Sequence, residues 1–335
     1  MVVAVSQVSQ QHTQPKQAID FLESTKTLLI DAAVGNSSSS FGAPGPSSSA
    51  ADKGEGGDDA PKPEAETEPI LFLNTSIGQL FLQSGDNAKA AELMAAGLKM
   101  LDKLVDVDPS VTASVYSLCM QYHKLHTNFD EFYKNSLLYL AYVSTEKLPA
   151  DFRLGLAIDV SLAALLGEGI FNFGELLLHP IVNSLVGTEF EWLHALLKCF
   201  NKGDMHAYDM VCERYKDALN GQPELVKKAQ SLRNKITLLC LVEFLFSLPP
   251  ESRSVPLDEI AARAKLATRE EAESVIMKAM ARGMVKGSLN QVAGVMQVSW
   301  VQPRVLTHDQ VKGLATRLES WADKLTSTQQ YVQTF

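Results

Sequence analysis

The chain has 335 residues, a hydrophobic fraction of 46% and a formal net charge of -9 at pH 7. This length exceeds what one hydrophobic core usually serves, so we expect two or more packed units or a repeat array. The acidic balance disfavours a protein whose main partner is a polyanion, because nonspecific nucleic-acid affinity comes mostly from basic side chains that neutralise phosphates. Protein partners are the better expectation.

Four widely spaced cysteines, Cys119, Cys199, Cys212 and Cys240, lie within predicted helices and form no CxxC pair. They indicate reduced core thiols and therefore a protein of the cytoplasm and nucleus. The N-terminal MVVAVSQVSQQ lacks a basic region followed by a sustained apolar core, so we predict no secretory signal. The longest apolar run, residues 236–248, is too short to cross a bilayer, so we predict no membrane contact.

Residues 1–34 contain one predicted amphipathic helix over 15–34, with Ile19, Leu22 and Leu29 on its apolar stripe and Pro15 in its first turn. Residues 35–69 are rich in Ser, Gly, Pro and acidic residues, and Phe41 is their only large apolar side chain. Such a composition buries too little surface to offset the entropy of ordering, so we predict a disordered low-complexity linker.

Residues 70–250 follow a pattern of successive helical hairpins, which predicts a helical-repeat array without a strict sequence period. Ser110 is the predicted N-cap of one of these helices, and Asp130 is the predicted N-cap of the next. The predicted helices are 71–83, 88–104, 110–126, 130–143, 151–166, 174–185, 189–200, 205–219 and 224–248.

Three glycines, Gly167, Gly169 and Gly174, interrupt the otherwise helical segment 165–181. A glycine inside a helix destabilises it by up to about 1 kcal/mol relative to alanine. The three together predict a helix break or a very close approach of backbones.

Residues 251–304 are predicted to form a winged helix. A short helix over 257–264 precedes a second helix, which Thr268 and Glu271 open as a capping box, and two strands follow over 285–289 and 295–301. An exposed strand edge offers unpaired backbone groups that a neighbouring chain can extend. We therefore predict an interface at the hairpin, with four residues of its second strand: Val295, Met296, Val298 and Trp300.

The second helix of a winged helix often enters the DNA major groove. Here it carries three basic residues, Arg269, Lys278 and Arg282, against three acidic ones, Glu270, Glu271 and Glu273. Because these charges sum to zero, the helix offers no basic stripe, and a protein-interaction role is favoured over DNA binding.

Residues 305–335 are predicted as a C-terminal interaction helix, opened by a capping box at Thr307 and Gln310. Its apolar positions step by three and four, which is a heptad stripe that only the polar Thr328 interrupts. The stripe, flanked by Ala315 and Ala322, suits a bundle of several helices, although folding back onto the chain's own array is the alternative. The predicted interface residues of this helix are Val311, Leu314, Leu318, Trp321, Leu325 and Val332.

Motifs for catalysis are weak or missing in this sequence. His123 and His126 form an HxxH without the glutamate of a zinc protease. A dinucleotide-binding loop follows a strand, whereas no strand is predicted before Gly167-Glu168-Gly169. Neither GxxxxGK[ST] nor GxSxG occurs. We therefore predict that the chain is not an enzyme and has no catalytic, cofactor-binding or metal-binding residues.

Several stretches together resemble one known family. They are LLGEGIFNFGELLLHP at 165–180, LLCL at 238–241, IMKAM at 276–280, and GMVKGSLNQV followed by SWVQPRVL, which ends at Leu306. This set is similar to the PCI-domain lid subunits of the 26S proteasome regulatory particle, of the non-ATPase subunit thirteen type, from about residue 70 to the end.

The resemblance implies a mainly α protein, a helical-repeat solenoid followed by the winged helix of a PCI domain and a C-terminal bundle helix. It implies a noncatalytic scaffold that supports lid assembly and ubiquitin-dependent protein degradation. Its partners would be other PCI-type and lid subunits, with no nucleic acid, no membrane and no preference for homo-oligomers. Family members usually carry further repeats before the AIDFLE-like segment, so 1–34 is expected to be an N-terminal helix remnant.

Two alternatives stay open at this point. The same architecture serves PCI subunits of other assemblies, such as the signalosome or a translation initiation factor. A winged helix that binds nucleic acid is the second alternative, and the balanced charges of its second helix disfavour it.

Overall fold

The computed structural model describes residues 15–36, 68–104, 106–248, 253–303 and 308–333. The chain divides into two compact units, residues 1–148 and 149–335. Three predicted features fall largely or wholly outside the described residues: the N-terminal segment 1–14, most of the linker, and the capping residue Thr307.

The described part of the first unit is helical, with a short 3₁₀ turn at its end. Its elements are α1 (Pro15–Asn36), α2 (Glu68–Ser84), α3 (Asn87–Lys103), α4 (Pro109–Leu125), α5 (Phe129–Tyr142) and the 3₁₀ turn Thr145–Lys147.

The N-caps of α4 and α5 differ from the predicted ones. Asp108 begins α4, because Pro109 fills the first helical position and the backbone N–H of Ser110 donates to Asp108 Oδ1 at 2.8 Å. The Ser110 hydroxyl also donates to Asp108 Oδ1, at 2.7 Å, and the two hydrogen bonds lower the pKa of Asp108. Asn128 is the N-cap of α5, so Asp130 lies in the first turn. There its negative charge interacts favourably with the positive end of the helix dipole.

The core of the first unit confirms the predicted stripe of α1. Ile19 and Leu22 are buried against α2, and Leu29 packs at the margin of the same cluster. Gly78 of α2 lies directly beneath Leu118 of α4, so close that an added Cβ would lie 2.7 Å from Leu118 Cδ2. Helices α1 to α4 thus contribute to one hydrophobic cluster.

The second unit contains shorter helices and a small sheet. Its helices are α6 (Ala150–Leu166), α7 (Gly174–Leu178), the 3₁₀ helix Pro180–Leu185, α8 (Glu191–Lys202), α9 (Met205–Arg214), α10 (Lys216–Asn220), α11 (Pro223–Lys227), α12 (Ala229–Ser247), α13 (Leu257–Arg263), α14 (Arg269–Ala281) and α15 (His308–Gln333). Its strands are β1 (Ser254–Pro256), β2 (Val285–Asn290) and β3 (Val295–Val301).

Several helices predicted as continuous are divided. The predicted helix 174–185 breaks at His179, which adopts extended backbone (φ -76°, ψ 133°) because a residue before proline disfavours the helical region. The predicted helices 205–219 and 224–248 are interrupted at Tyr215 and Lys228. The predicted break after Leu166 is confirmed, since Gly167 leaves the helix with φ -65° and ψ 135°.

The winged helix has a three-stranded sheet in the order β1-β3-β2, so β3 is its central strand. β1 was not predicted, because three residues that end in a proline carry too little alternation to stand out. The core beneath the sheet joins Met296 of β3, Ile276 of α14 and Leu257 of α13 to the second half of α12, including Leu241. The mainly α class, with a helical array followed by a winged helix, is confirmed.

Candidate interaction surfaces

The helix α15 presents its apolar stripe to solvent. Every side chain described between residues 311 and 332 is exposed. The six stripe residues are between 47% and 66% exposed: Val311, Leu314, Leu318, Trp321, Leu325 and Val332. The described chain leaves this stripe uncovered, and the alternative in which the helix folds back onto its own array stays a hypothesis.

The stripe is long and continuous. The helix has 26 residues and is therefore about 39 Å long. Trp321, the largest apolar side chain on the stripe, is 61% exposed. A contiguous apolar surface of this kind marks a site for other proteins in soluble domains. The assignment of its residues to an interface stays a prediction.

The hairpin of the winged helix requires a correction to the predicted interface. Met296 and Val298 are buried in the domain's own core, with 0% and 6% exposure, so their side chains are unavailable to a partner. Met296 and Val298 alternate with exposed residues as predicted, but the face they form packs on the core of the winged helix itself. Val295 is half-buried, and Trp300 is 39% exposed beneath Lys286, whose Nζ lies 5.1 Å from the indole centroid.

The free edge of the sheet is also not where the sequence placed it. β3 pairs with β1 through residues 254–256 on one side and with β2 on the other. Within the described sheet, β2 therefore forms an outer edge, with exposed side chains at Lys286, Ser288 and Asn290. A register shift between Lys286 and Gly287 bends this strand near its start.

The segment 165–181 folds around a buried lysine that the sequence analysis did not single out. Lys235 of α12 is 5% exposed, and its Nζ donates to the carbonyl oxygens of Ala164 at 2.7 Å, Leu165 at 3.2 Å and Gly167 at 2.7 Å. The same Nζ lies 5.0 Å from the ring centroid of Phe173. The ammonium group thus satisfies the last carbonyls of α6 and complements the negative end of its dipole.

This lysine site reaches the winged helix through one aromatic ring. Phe171 packs at the margin of the winged-helix core, and its ring centroid lies 5.7 Å from Lys235 Nζ. The guanidinium carbon of Arg282, at the end of α14, lies 5.3 Å from the same centroid. The glycine-rich segment therefore connects α6, α12 and α14. A lysine directly before the apolar run 236–248 was the sequence signal that could have indicated it.

The capping box of α14 is confirmed in a shifted form. The backbone N–H of Glu271 donates to Thr268 Oγ1 at 3.3 Å, while the Glu271 carboxylate accepts from the N–H of Ala267 at 2.9 Å. Two further charges of this region pair, because Arg269 donates to Asp258 Oδ2 at 3.1 Å. These contacts hold acidic side chains at the start of α14, the end that a DNA-reading helix directs to the bases.

The histidines and cysteines considered for chemistry are constrained by backbone hydrogen bonds or by burial. The Nδ1 of His126 forms a 2.9 Å hydrogen bond with the carbonyl oxygen of Tyr122, and burial lowers the pKa of His123. Burial raises the pKa of the Cys119 thiol to about 11 and raises those of Cys199, Cys212 and Cys240. Such thiols are poor nucleophiles and poor metal ligands at neutral pH.

Among the residues that the structure describes, no three His, Cys, Asp or Glu side chains converge as a metal site. In the same described ranges, no helix has both the length and the apolar character needed to cross a membrane.

Comparison with known proteins places the chain in a family. A model described as PSD13 N-terminal repeats matches residues 1–197, and a PCI domain model matches residues 212–300. The 26S proteasome non-ATPase regulatory subunit 13 homolog B of Arabidopsis thaliana is 46% identical over 269 residues, which cover 80% of this chain and 69% of that protein. The chain belongs to the family of the 26S proteasome non-ATPase regulatory subunit 13.

Two other relatives agree with this assignment to the subunit 13 family. The homolog A of Arabidopsis thaliana is also 46% identical, over 78% of this chain and 68% of that protein. The probable 26S proteasome regulatory subunit rpn9 of Schizosaccharomyces pombe is 35% identical, over 81% of this chain and 69% of that protein. The resemblance drawn from the stretches at 165–180 and beyond is confirmed.

Proposed function

We propose that this member of the subunit 13 family is a noncatalytic scaffold of the 26S proteasome lid, which supports assembly and ubiquitin-dependent protein degradation by positioning neighbouring subunits. The exposed stripe of α15 carries this proposal. Binding of a partner that covers the stripe is favourable because it removes apolar surface from water.

The magnitude of that gain follows from Trp321 alone. A tryptophan buries roughly 150–250 Å² when fully covered. Trp321 is 61% exposed, and covering this exposed part contributes about 3 kcal/mol to binding before entropy losses, at about 25 cal/mol per Å². The other five stripe residues add to this, so α15 has enough apolar surface for a stable helix bundle.

The edge strand β2 is the second proposed contact. Its outer backbone groups face away from β3, and a neighbouring winged helix can extend the sheet there. The partners proposed are therefore other PCI-type and lid subunits. Neither nucleic acid, nor a membrane, nor a second copy of the chain is a preferred partner.

The noncatalytic part of the proposal is supported by the thiols. The cysteines are the strongest potential nucleophiles in the chain, and burial raises the pKa of all four thiols further above neutral pH, so the reactive thiolate is scarce. Free cysteines also support a location in the reducing cytoplasm and nucleus.

The test compares two full-length variants in cells that lack the normal chain. Leu318→Asp places a charge at the centre of the stripe, whereas Thr316→Asp places the same charge on the opposite side of α15. We expect Leu318→Asp to be lost from lid particles on native gels while Thr316→Asp is incorporated. Normal incorporation of Leu318→Asp contradicts the proposal.

A further inference from the structure

The sides of α15 that flank the apolar stripe differ from each other. At 100° per residue, Arg317 and Lys324 lie on one side, about 70° and 90° from the centre of the stripe. Ala315 and Ala322 lie on the other side, about 90° and 70° from that centre. All four side chains are exposed. The helix therefore has one basic side and one side of small residues.

The two basic residues have no acidic residue three or four positions away on their own helix. Glutamate or aspartate three or four residues away is the usual intrahelical partner of a basic side chain. The positions at those spacings from Arg317 are Gly313, Leu314, Ser320 and Trp321. The corresponding positions around Lys324 are Ser320, Trp321, Ser327 and Thr328.

The acidic residues of α15 lie on its rear surface. Glu319 and Asp323 are about 130° and 170° from the centre of the stripe, where Lys312 also lies. A helix that packs on the stripe therefore meets positive charge along one side and no negative charge from α15. Residues that flank such a seam select partners through ion pairs across the interface.

Pairing with a second copy does not satisfy these charges. In an antiparallel pair of α15 helices, Arg317 and Lys324 of one copy approach the same basic residues of the other. In a parallel pair, they face the alanine side. Neither arrangement gives the basic side a carboxylate partner.

We propose that the partner of α15 is a helix that carries glutamate or aspartate along the edge that meets Arg317 and Lys324. This inference rests on the proposed function and specifies its partner chemistry. The alanine side then accommodates a further helix at close distance, because small side chains let helix backbones approach. The seat of α15 is therefore a bundle of different chains, with an acidic helix on one defined side.

The experiment uses full-length chains and regulatory particles from cells that lack the normal chain, and measures variant occupancy by quantitative mass spectrometry after washes at low and high salt. We expect Arg317→Glu combined with Lys324→Glu to lower occupancy on the order of tenfold at low salt, because two attractive rim pairs become repulsive. The deficit shrinks at high salt, which screens exposed charges.

Two controls separate the outcomes. Arg317→Lys combined with Lys324→Arg keeps both positive charges, so we expect full occupancy. The single reversal Arg317→Glu lowers occupancy, whereas Lys312→Glu, which makes the same charge change on the rear surface, does not. If the double reversal assembles normally while Leu318→Asp does not, the acidic partner is wrong and the scaffold role stands. If Leu318→Asp also assembles normally, the scaffold role itself fails.

Discussion

Lys235 Nζ donates a 2.7 Å hydrogen bond to the carbonyl oxygen of Gly167, the residue that ends α6. The glycine-rich segment therefore does more than interrupt a helix. The extended backbone at Gly167 directs its carbonyl group toward a lysine that lies 68 positions later in the chain, in α12. Because the same lysine lies near Phe171, the contact links the helical array to the winged helix.

Replacement of this lysine tests the link. Lys235→Met keeps most of the side-chain volume but leaves the carbonyls of Ala164 and Gly167 without this donor, so we expect about 2–4 kcal/mol of lost unfolding free energy. Urea denaturation of the full chain measures the loss. The matched control is Lys228→Met, whose bond to the Leu166 carbonyl is longer at 3.4 Å, and its effect is expected to stay below about 1 kcal/mol. Equal effects of the two variants contradict the role of Lys235.

A close approach of α8 and α12 gives a second prediction. Gly203 ends α8 with φ +62°, and an added Cβ would lie 2.8 Å from the Leu239 carbonyl oxygen and 2.9 Å from Cys240 Cα. Gly203→Ala therefore combines a left-handed backbone with a backbone clash, and we expect more than about 2 kcal/mol of destabilisation.

Gly155→Ala is the control, because it lies inside α6 with no atom within 4 Å of the added Cβ. We expect it to raise stability by about 0.5–1 kcal/mol. Thermal unfolding of both variants beside the unmodified chain distinguishes the two sites, and a neutral Gly203→Ala would show that α8 and α12 are less tightly packed than described.

The buried thiol of Cys119 predicts a dependence of stability on alkaline pH. Burial raises its pKa from 9.0 to about 11, so between these values the folded state holds a proton that the unfolded state has lost. The contribution is therefore fully present below pH 9 and is lost as pH rises toward 11, by up to about 2–3 kcal/mol. Cys119→Ala lacks this part of the slope. The free energy of unfolding of the unmodified chain and of Cys119→Ala is measured from pH 8 to 11, and the difference between the two curves gives the contribution of the thiol. Parallel curves would contradict the raised pKa.

The local features of this fold could be predicted from sequence, whereas the long-range pairings could not. The stripe of α15 follows from spacings of three and four within one helix, and the box at Thr268 and Glu271 spans four residues. In contrast, β3 becomes central only because Ser254–Pro256 pairs with it from about 40 residues away. Alternation along β3 identifies a buried face without revealing which core receives it, and for this reason Met296 and Val298 were misassigned.

The same distinction applies to the candidate surfaces. Periodicity shows that Leu318 and Trp321 share one face, but only their exposure shows that the described chain does not cover that face. Lys235 was missed because its three carbonyl partners lie about 70 positions earlier, in a segment whose glycines suggested only a break. Splits at Tyr215 and Lys228 carry no proline or glycine signal at those positions, and nothing in the local sequence explains them.

On the proposed function, the stripe of α15 is open in the isolated chain and covered in the regulatory particle. The most direct measurement places a single cysteine on the stripe, Leu318→Cys in a Cys212→Ser background, and compares its rate of maleimide modification in the two states. We expect rapid modification of the isolated chain and at least about tenfold slower modification in the particle, because covered thiols react only when the interface opens. Equal rates would show that no partner covers the stripe, and protection already present in the isolated chain would show that the chain covers it itself.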